Sequence, residues 1–153
     1  MKKVFAACLL FAASVTLASA ADVLRFDGGI GAQPLRAGGQ ANEVNDTLPG
    51  GRPWVIERLT ARVRADGRIS VDGRGLLIAG GPSIGTGAGQ SVHARLYCGG
   101  VKVDSPTLVP LDAEGDFRIE DQLPSAVPSP CANPILLIIN AAGSWFAAGI
   151  PKL

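Results

Sequence analysis

Between Arg58 and Asp72, apolar and polar residues alternate with a period of two. Leu59, Ala61, Val63, Ile69 and Val71 form the apolar set; Arg58, Thr60, Arg62, Arg64, Arg68, Ser70 and Asp72 form the polar one. Only an extended chain places alternate side chains on opposite faces, so the pattern specifies two half-buried strands with a charged outer face. The turn between them fixes the register. A two-residue Asp66-Gly67 loop would set Val63 against Ser70 and mix the faces. A three-residue loop, Ala65-Asp66-Gly67, sets Val63 against Ile69 and Ala61 against Val71, with Gly67 taking the left-handed position that such a loop requires.

The same reasoning applies downstream. Around Ala113-Glu114-Gly115, a three-residue loop is expected to pair Leu111 with Phe117 and Val109 with Ile119. Gly99-Gly100 reads as a two-residue turn that pairs Cys98 with Val101 and Leu96 with Val103. Ile135-Leu136-Leu137-Ile138-Ile139 is continuously apolar, as a strand covered on both faces would be. Trp145 to Ile150 reads as the closing strand. Glycine and proline together supply 31 of the 153 residues, and no helical periodicity persists beyond a turn. The expected fold is all-β and antiparallel, an immunoglobulin-like or related sandwich of about 7–9 short strands, with a small β-barrel as the alternative.

Residues 1–20 carry the marks of an export signal. Lys2 and Lys3 precede an apolar stretch from Val4 to Leu17, and Ala18-Ser19-Ala20 is a small-residue cleavage site. The apolar stretch is shorter than the roughly 20 residues of a spanning helix. Cys8 follows too few apolar residues to be a lipoprotein cysteine. Cleavage is expected between Ala20 and Ala21, leaving a single domain, residues 21–153, in a secreted or periplasmic location. Of the 14 basic and 13 acidic side chains, removal of two lysines leaves 12 and 13. A balance this close to zero offers no overall basic field for nucleic acid, and no membrane span remains after the signal. Cys98 and Cys131 are the cysteines left, and in an oxidising compartment they are expected to pair. Closing a loop of that length is worth roughly 3–4 kcal/mol in the chain-entropy model.

Patterns that carry chemistry are sparse. Gly81-Pro82-Ser83-Ile84-Gly85 has the spacing of a nucleophile elbow, but Thr86-Gly87-Ala88-Gly89 follows where a helix is required. His93 is the sole histidine, and no acidic residue lies between it and Ser83. A Ser83–His93 pair is therefore the alternative reading, a small serine hydrolase. His93 is expected on an exposed polar strand face with Ser91, Arg95 and Tyr97, and alone it cannot build a metal site. Asp112, Glu114 and Asp116 alternate like calcium ligands, but Leu123 occupies the place of the closing Glu. Gly85-Thr86-Gly87-Ala88-Gly89 lacks the lysine of a phosphate loop. Asn45-Asp46-Thr47 is a glycosylation sequon. Trp54, Tyr97, Trp145 and Phe146 are the candidate platforms for a sugar, two of them expected in the core. The sequence thus names no catalytic residue, no metal site and no cofactor.

Gly50-Gly51-Arg52-Pro53-Trp54-Val55-Ile56, Gly73-Arg74-Gly75-Leu76-Leu77, and Cys131-Ala132-Asn133-Pro134 running on to Trp145-Phe146-Ala147-Ala148-Gly149 resemble stretches of small exported, chiefly bacterial β-sandwich proteins of unassigned function. The resemblance covers most of residues 21–153. It implies a shared fold and an exported location, and supplies no substrate, cofactor or catalytic residue. The expected function is a non-catalytic binding or surface module with a protein or small-ligand partner. A subunit of a surface assembly, completed by strand exchange at a sheet edge, is a further alternative.

Overall fold

A computed structural model describes residues 20–152. The expected signal segment therefore lies outside the described residues except for Ala20, which enters the first strand through Ala21. The described chain contains no helix. It forms β1 (Asp22–Gly31), β2 (Trp54–Val55), β3 (Arg58–Arg64), β4 (Arg68–Arg74), β5 (Leu77–Ile78), β6 (Ser91–Cys98), β7 (Val101–Asp104), β8 (Val109–Pro110), β9 (Phe117–Gln122), β10 (Ile135–Asn140) and β11 (Trp145–Lys152). The fold is all-β, and every pairing between these strands is antiparallel.

Hydrogen bonding joins most of the strands into one main sheet. Nine belong to one sheet in the order β7-β6-β10-β11-β1-β3-β4-β9, with β8 also on β6, while β2 and β5 form a separate ribbon. The sheet curls into a half-barrel. Register shifts within β1, between Phe26 and Gly29 and between Asp22 and Leu24, and at Ile138/Ile139 mark bulges, which bend a strand and increase its twist. The curl brings the two edges within reach of one connection. β8 pairs with β6 near one edge, β9 pairs with β4 at the other, and a single tight turn joins them. Asp121 on β9 reinforces the closure by accepting hydrogen bonds from the Thr107 amide (2.9 Å) and hydroxyl (3.2 Å).

Two of the three expected hairpins have the expected register. Val63 faces Ile69 and Ala61 faces Val71, with Gly67 at φ 84°. Cys98 faces Val101 and Leu96 faces Val103 across Gly99-Gly100. Val101, however, is 71% exposed, because β7 extends past the core at the sheet edge. The third hairpin departs from expectation. Its three-residue turn forms, closed by the Asp112 amide on the Asp116 carbonyl at 3.1 Å, but Leu111–Phe117 and Val109–Ile119 are not ladder pairs. Pro110 has no N–H to give, and the neighbouring groups of β8 bond to β6 instead: Val109 faces Val92, and the Leu111 amide donates to the Gln90 carbonyl at 2.9 Å. Leu111 and Phe117 still reach the same core.

The inner face of the curl holds Leu59, Val63, Val71, Val92, Leu96, Ile119, Leu136 and Ile138 among its fully buried side chains. β10 is covered on both faces, as its unbroken apolar run requires. Leu136 and Ile138 share the parity of Leu96 and Ala94 on β6 and so face inward; Leu137 and Ile139 face out and are equally buried. Their outer cover is the segment 42–50. The Trp145 indole N–H donates to the Asn42 carbonyl (3.0 Å), the Trp145 amide to the Leu48 carbonyl (2.9 Å), and the Gly50 amide to the Trp145 carbonyl (2.9 Å). Cys98 and Cys131 are joined in a disulfide with Cα atoms 5.0 Å apart, which ties the proline-rich crossover 124–134 to the end of β6. No helix among the described residues is long and apolar enough to cross a membrane.

Candidate functional site

The face of β6 expected to meet solvent is partly covered, with Ser91, His93 and Arg95 half-buried and Tyr97 buried. Tyr97 is only 2% exposed, and Arg95 is held beneath the same 42–50 segment. Asn45 and Asp46, at φ 44° and 61°, form the two-residue turn of a small hairpin that Val44 and Thr47 close with reciprocal backbone bonds of 3.0 and 2.9 Å. This turn aims Thr47 inward. Arg95 Nη1 donates to Thr47 Oγ1 (3.0 Å), and Tyr97 Oη donates to the Asn45 carbonyl (2.9 Å). Tyr97 Oη therefore accepts from Thr47 Oγ1, 2.6 Å away, and the three side chains form a one-way donor chain. Asp104 anchors its head, accepting from Arg95 Nε and Nη2 at 2.7 Å each. The hydrogen bonds to Asp104 raise the Arg95 guanidinium above its ordinary value against the opposing effect of burial. Burial alone would raise Asp104, but the Arg95 hydrogen bonds and charge outweigh it and hold the carboxyl below the usual range. Every member has a partner within the protein, so this network acts as a clasp.

The candidate catalytic pair is not assembled. Ser83 lies in the turn after β5, its carbonyl accepting from the Thr86 amide (3.2 Å) and hydroxyl (2.9 Å). It lines a cleft that His93 does not enter. His93 Nδ1 instead donates to the Ser105 carbonyl at 2.9 Å, and Ser105 Oγ accepts from the Ala94 amide at 3.0 Å. The acidic trio builds its own turn. Asp112 Oδ1 accepts from the amides of Glu114 (3.0 Å) and Asp116 (2.7 Å), while Asp116 Oδ1 accepts from the Gly75 amide (2.9 Å).

Two features remain that present unused binding groups. The first is the outer face of β1, β3, β4 and β9. Of the ten arginines in residues 21–153, seven converge there: Arg25, Arg58, Arg62, Arg64, Arg68, Arg74 and Arg118. Arg25 stands opposite Arg62, and Arg58 opposite Arg74. Like charges directly opposed across strands are mutually destabilising. Acids relieve part of this: Asp22 lies 3.0 Å from Arg25, Asp72 3.5 Å from Arg74, and Glu120 2.8 Å from Arg118. Arg58 and Arg62 have no acidic partner among the described residues. Arg62, Arg64, Arg68 and Arg118 border an open groove of about 610 Å³.

The second is the cleft that contains Ser83, about 420 Å³ in volume. Trp54 and Phe146 stack at its base with ring centroids 4.0 Å apart and planes at 15°. Each is 3% exposed, so neither offers a ring face on which a sugar could stack. Tyr97 and Trp145, the other candidate platforms, are buried as well. The sequence marked the arginine alternation on β3 and β4 but gave no sign that Arg25 and Arg118 would join it; the excess of ten arginines over two lysines was the available signal. Comparison with models of known protein families, with curated proteins and with solved structures finds no match.

Proposed function

We propose that the chain is an exported, non-catalytic binding module whose arginine face holds an extended anionic polymer, an acidic polysaccharide of the cell envelope or its surroundings. The observation that carries this reading is the opposition of Arg58 to Arg74 and of Arg25 to Arg62, with Arg58 and Arg62 lacking acids. An anion seated between such a pair turns a repulsion into two charge-assisted contacts. Arginine suits carboxylate, sulfate and phosphate groups through its planar fork. The face carries no aromatic side chain, so it lacks the stacking platforms of single-stranded nucleic-acid binders. The near-zero net charge conceals this sidedness, because charge balance says nothing of where charges lie. The disulfide is compatible with an oxidising exported compartment.

The test is retention of the folded protein on dextran sulfate and on uncharged dextran. Retention on the sulfated resin alone, lost in about 0.5 M salt, is expected from screening of exposed charges. Arg58→Glu with Arg62→Glu should abolish it without changing the far-ultraviolet spectrum. Equal retention on plain dextran, or an unaffected double variant, would reject the reading.

A further inference from the structure

The cleft over Trp54 carries a set of hydrogen-bond donors with nothing to donate to. Trp54 is almost wholly buried, yet no described residue accepts from its indole N–H. Among the described residues no side-chain nitrogen or oxygen is both fully enclosed and unbonded, so the Trp54 Nε1 edge must reach open space, and the space it borders is the cleft. The other tryptophan shows the contrast: Trp145 Nε1 is satisfied by the Asn42 carbonyl at 3.0 Å. Access to Trp54 depends on Gly50. A Cβ there would stand 2.8 Å from the Phe146 ring and 3.0 Å from Trp54 Nε1, closing the approach.

Two neighbouring amides line the same cleft. Asn140 is fixed by its turn, its Oδ1 accepting from the amides of Ala142 (3.1 Å) and Ser144 (3.0 Å). Its Nδ2 donates to Gln90 Oε1 at 3.2 Å. With its acceptor occupied, Gln90 presents the donating end of its amide, Nε2, without a partner among the described residues. Arg52, on the rim, is exposed and has no acidic partner among the described residues. Among the described residues no acidic side chain lines the cleft, and Arg52 is its one charged side chain.

From these groups we infer that the cleft is a binding site for a small carboxylate. Open N–H donors and one unpaired cation among the lining residues favour a compact monoanion over a neutral or cationic ligand. A carboxylate has two coplanar oxygens with about four acceptor sites, enough for the Arg52 guanidinium and for the neutral N–H donors of Trp54 and Gln90 together. The edges of Trp54, Phe146 and Ile78 that reach the cleft supply what apolar lining it has. This site shares no residue with the arginine groove, and its test is independent of that face.

The two tryptophans give two indole N–H resonances in a proton–nitrogen correlation spectrum of the 15N-labelled exported protein, and Trp54→Phe assigns them. Titration with benzoate or galacturonate should move the Trp54 resonance downfield saturably and leave that of Trp145 in place. Benzamide and galactose, which match the probes in shape without the charge, should move neither. Arg52→Gln, a change at an exposed position, should weaken benzoate binding about tenfold, the scale of one charge-assisted contact. Gly50→Ala should eliminate it, while Arg58→Glu with Arg62→Glu should leave it unchanged. Parallel movement of both indoles, no saturable shift with either carboxylate, an unaffected Arg52→Gln, or an equal response to inorganic phosphate would each overturn the assignment.

Discussion

Thr47 and Tyr97, 50 positions apart in the chain, meet hydroxyl to hydroxyl at 2.6 Å in the interior. This bond joins the 42–50 segment to the outer face of β6, next to β10. Without that cover, Leu137 and Ile139 would face water. An irregular segment with little apolar surface of its own is thus held over an apolar strand by directed polar contacts, each of which must be satisfied in the low-dielectric interior.

Tyr97→Phe removes the phenol from the buried Thr47 hydroxyl, which keeps its bond from Arg95, and from the carbonyl of exposed Asn45. The expected loss is about 0.5–1.5 kcal/mol, the net worth of a hydrogen bond whose partners keep other partners or water. Urea unfolding measures the loss. Native-state hydrogen exchange should show the Val44 and Thr47 amides losing protection well before those of β3 and β4. A uniform loss across the sheet would show that the segment is not a separate clasp.

The Arg95–Asp104 pair makes stability depend on acid. Asp104 titrates below its unfolded value, so its contribution is fully present above the ordinary aspartate pKa of about 3.9 and is lost as pH falls through the depressed folded value. Asp104→Asn should therefore be less stable than the parent at pH 6, with the gap narrowing below about pH 4. Urea midpoints measured at several pH values test the sign. A gap that widens on acidification would contradict it.

The disulfide between Cys98 and Cys131 should leave no titratable thiol in the native protein beginning at Ala21. Reduction should cost about 2–5 kcal/mol, as in small exported domains. Faster migration without reductant than with it, and a lower melting temperature after reduction, are the expected readouts.

Arg58→Glu offers a sharper test of the arginine face. A Glu there faces Arg74 and replaces a repulsive cross-strand pair with an attractive one. Stability should rise by about 0.2–1 kcal/mol while retention on dextran sulfate falls. A variant that loses both would point to a structural role for Arg58.

Ser83 should stay unlabelled by a serine-directed fluorophosphonate, because His93 is turned to the Ser105 carbonyl and lies outside the Ser83 cleft. Stoichiometric labelling abolished by Ser83→Ala would restore the hydrolase alternative.

What the sequence determined alone was local. Val63 against Ile69 and Leu96 against Val103 follow from period-two alternation and from turns that admit one loop length, since a slip of one residue would turn the apolar face outward. The doubly covered β10 was legible in its unbroken apolar run, and the cysteine pairing in their number. Tertiary structure decided the rest. That most strands join one curled sheet depended on bulges and on Pro110, which left β8 to pair with β6, across the curl from β9. Tyr97 and Arg95 looked solvent-facing because their alternation is that of a polar face; their cover comes from residues about 50 positions away. The seven-arginine face and the open donors over Trp54 arise in the same manner. Alternation says which side of a strand a residue takes, but what lies on that side is set by chain segments that only the folded topology brings together.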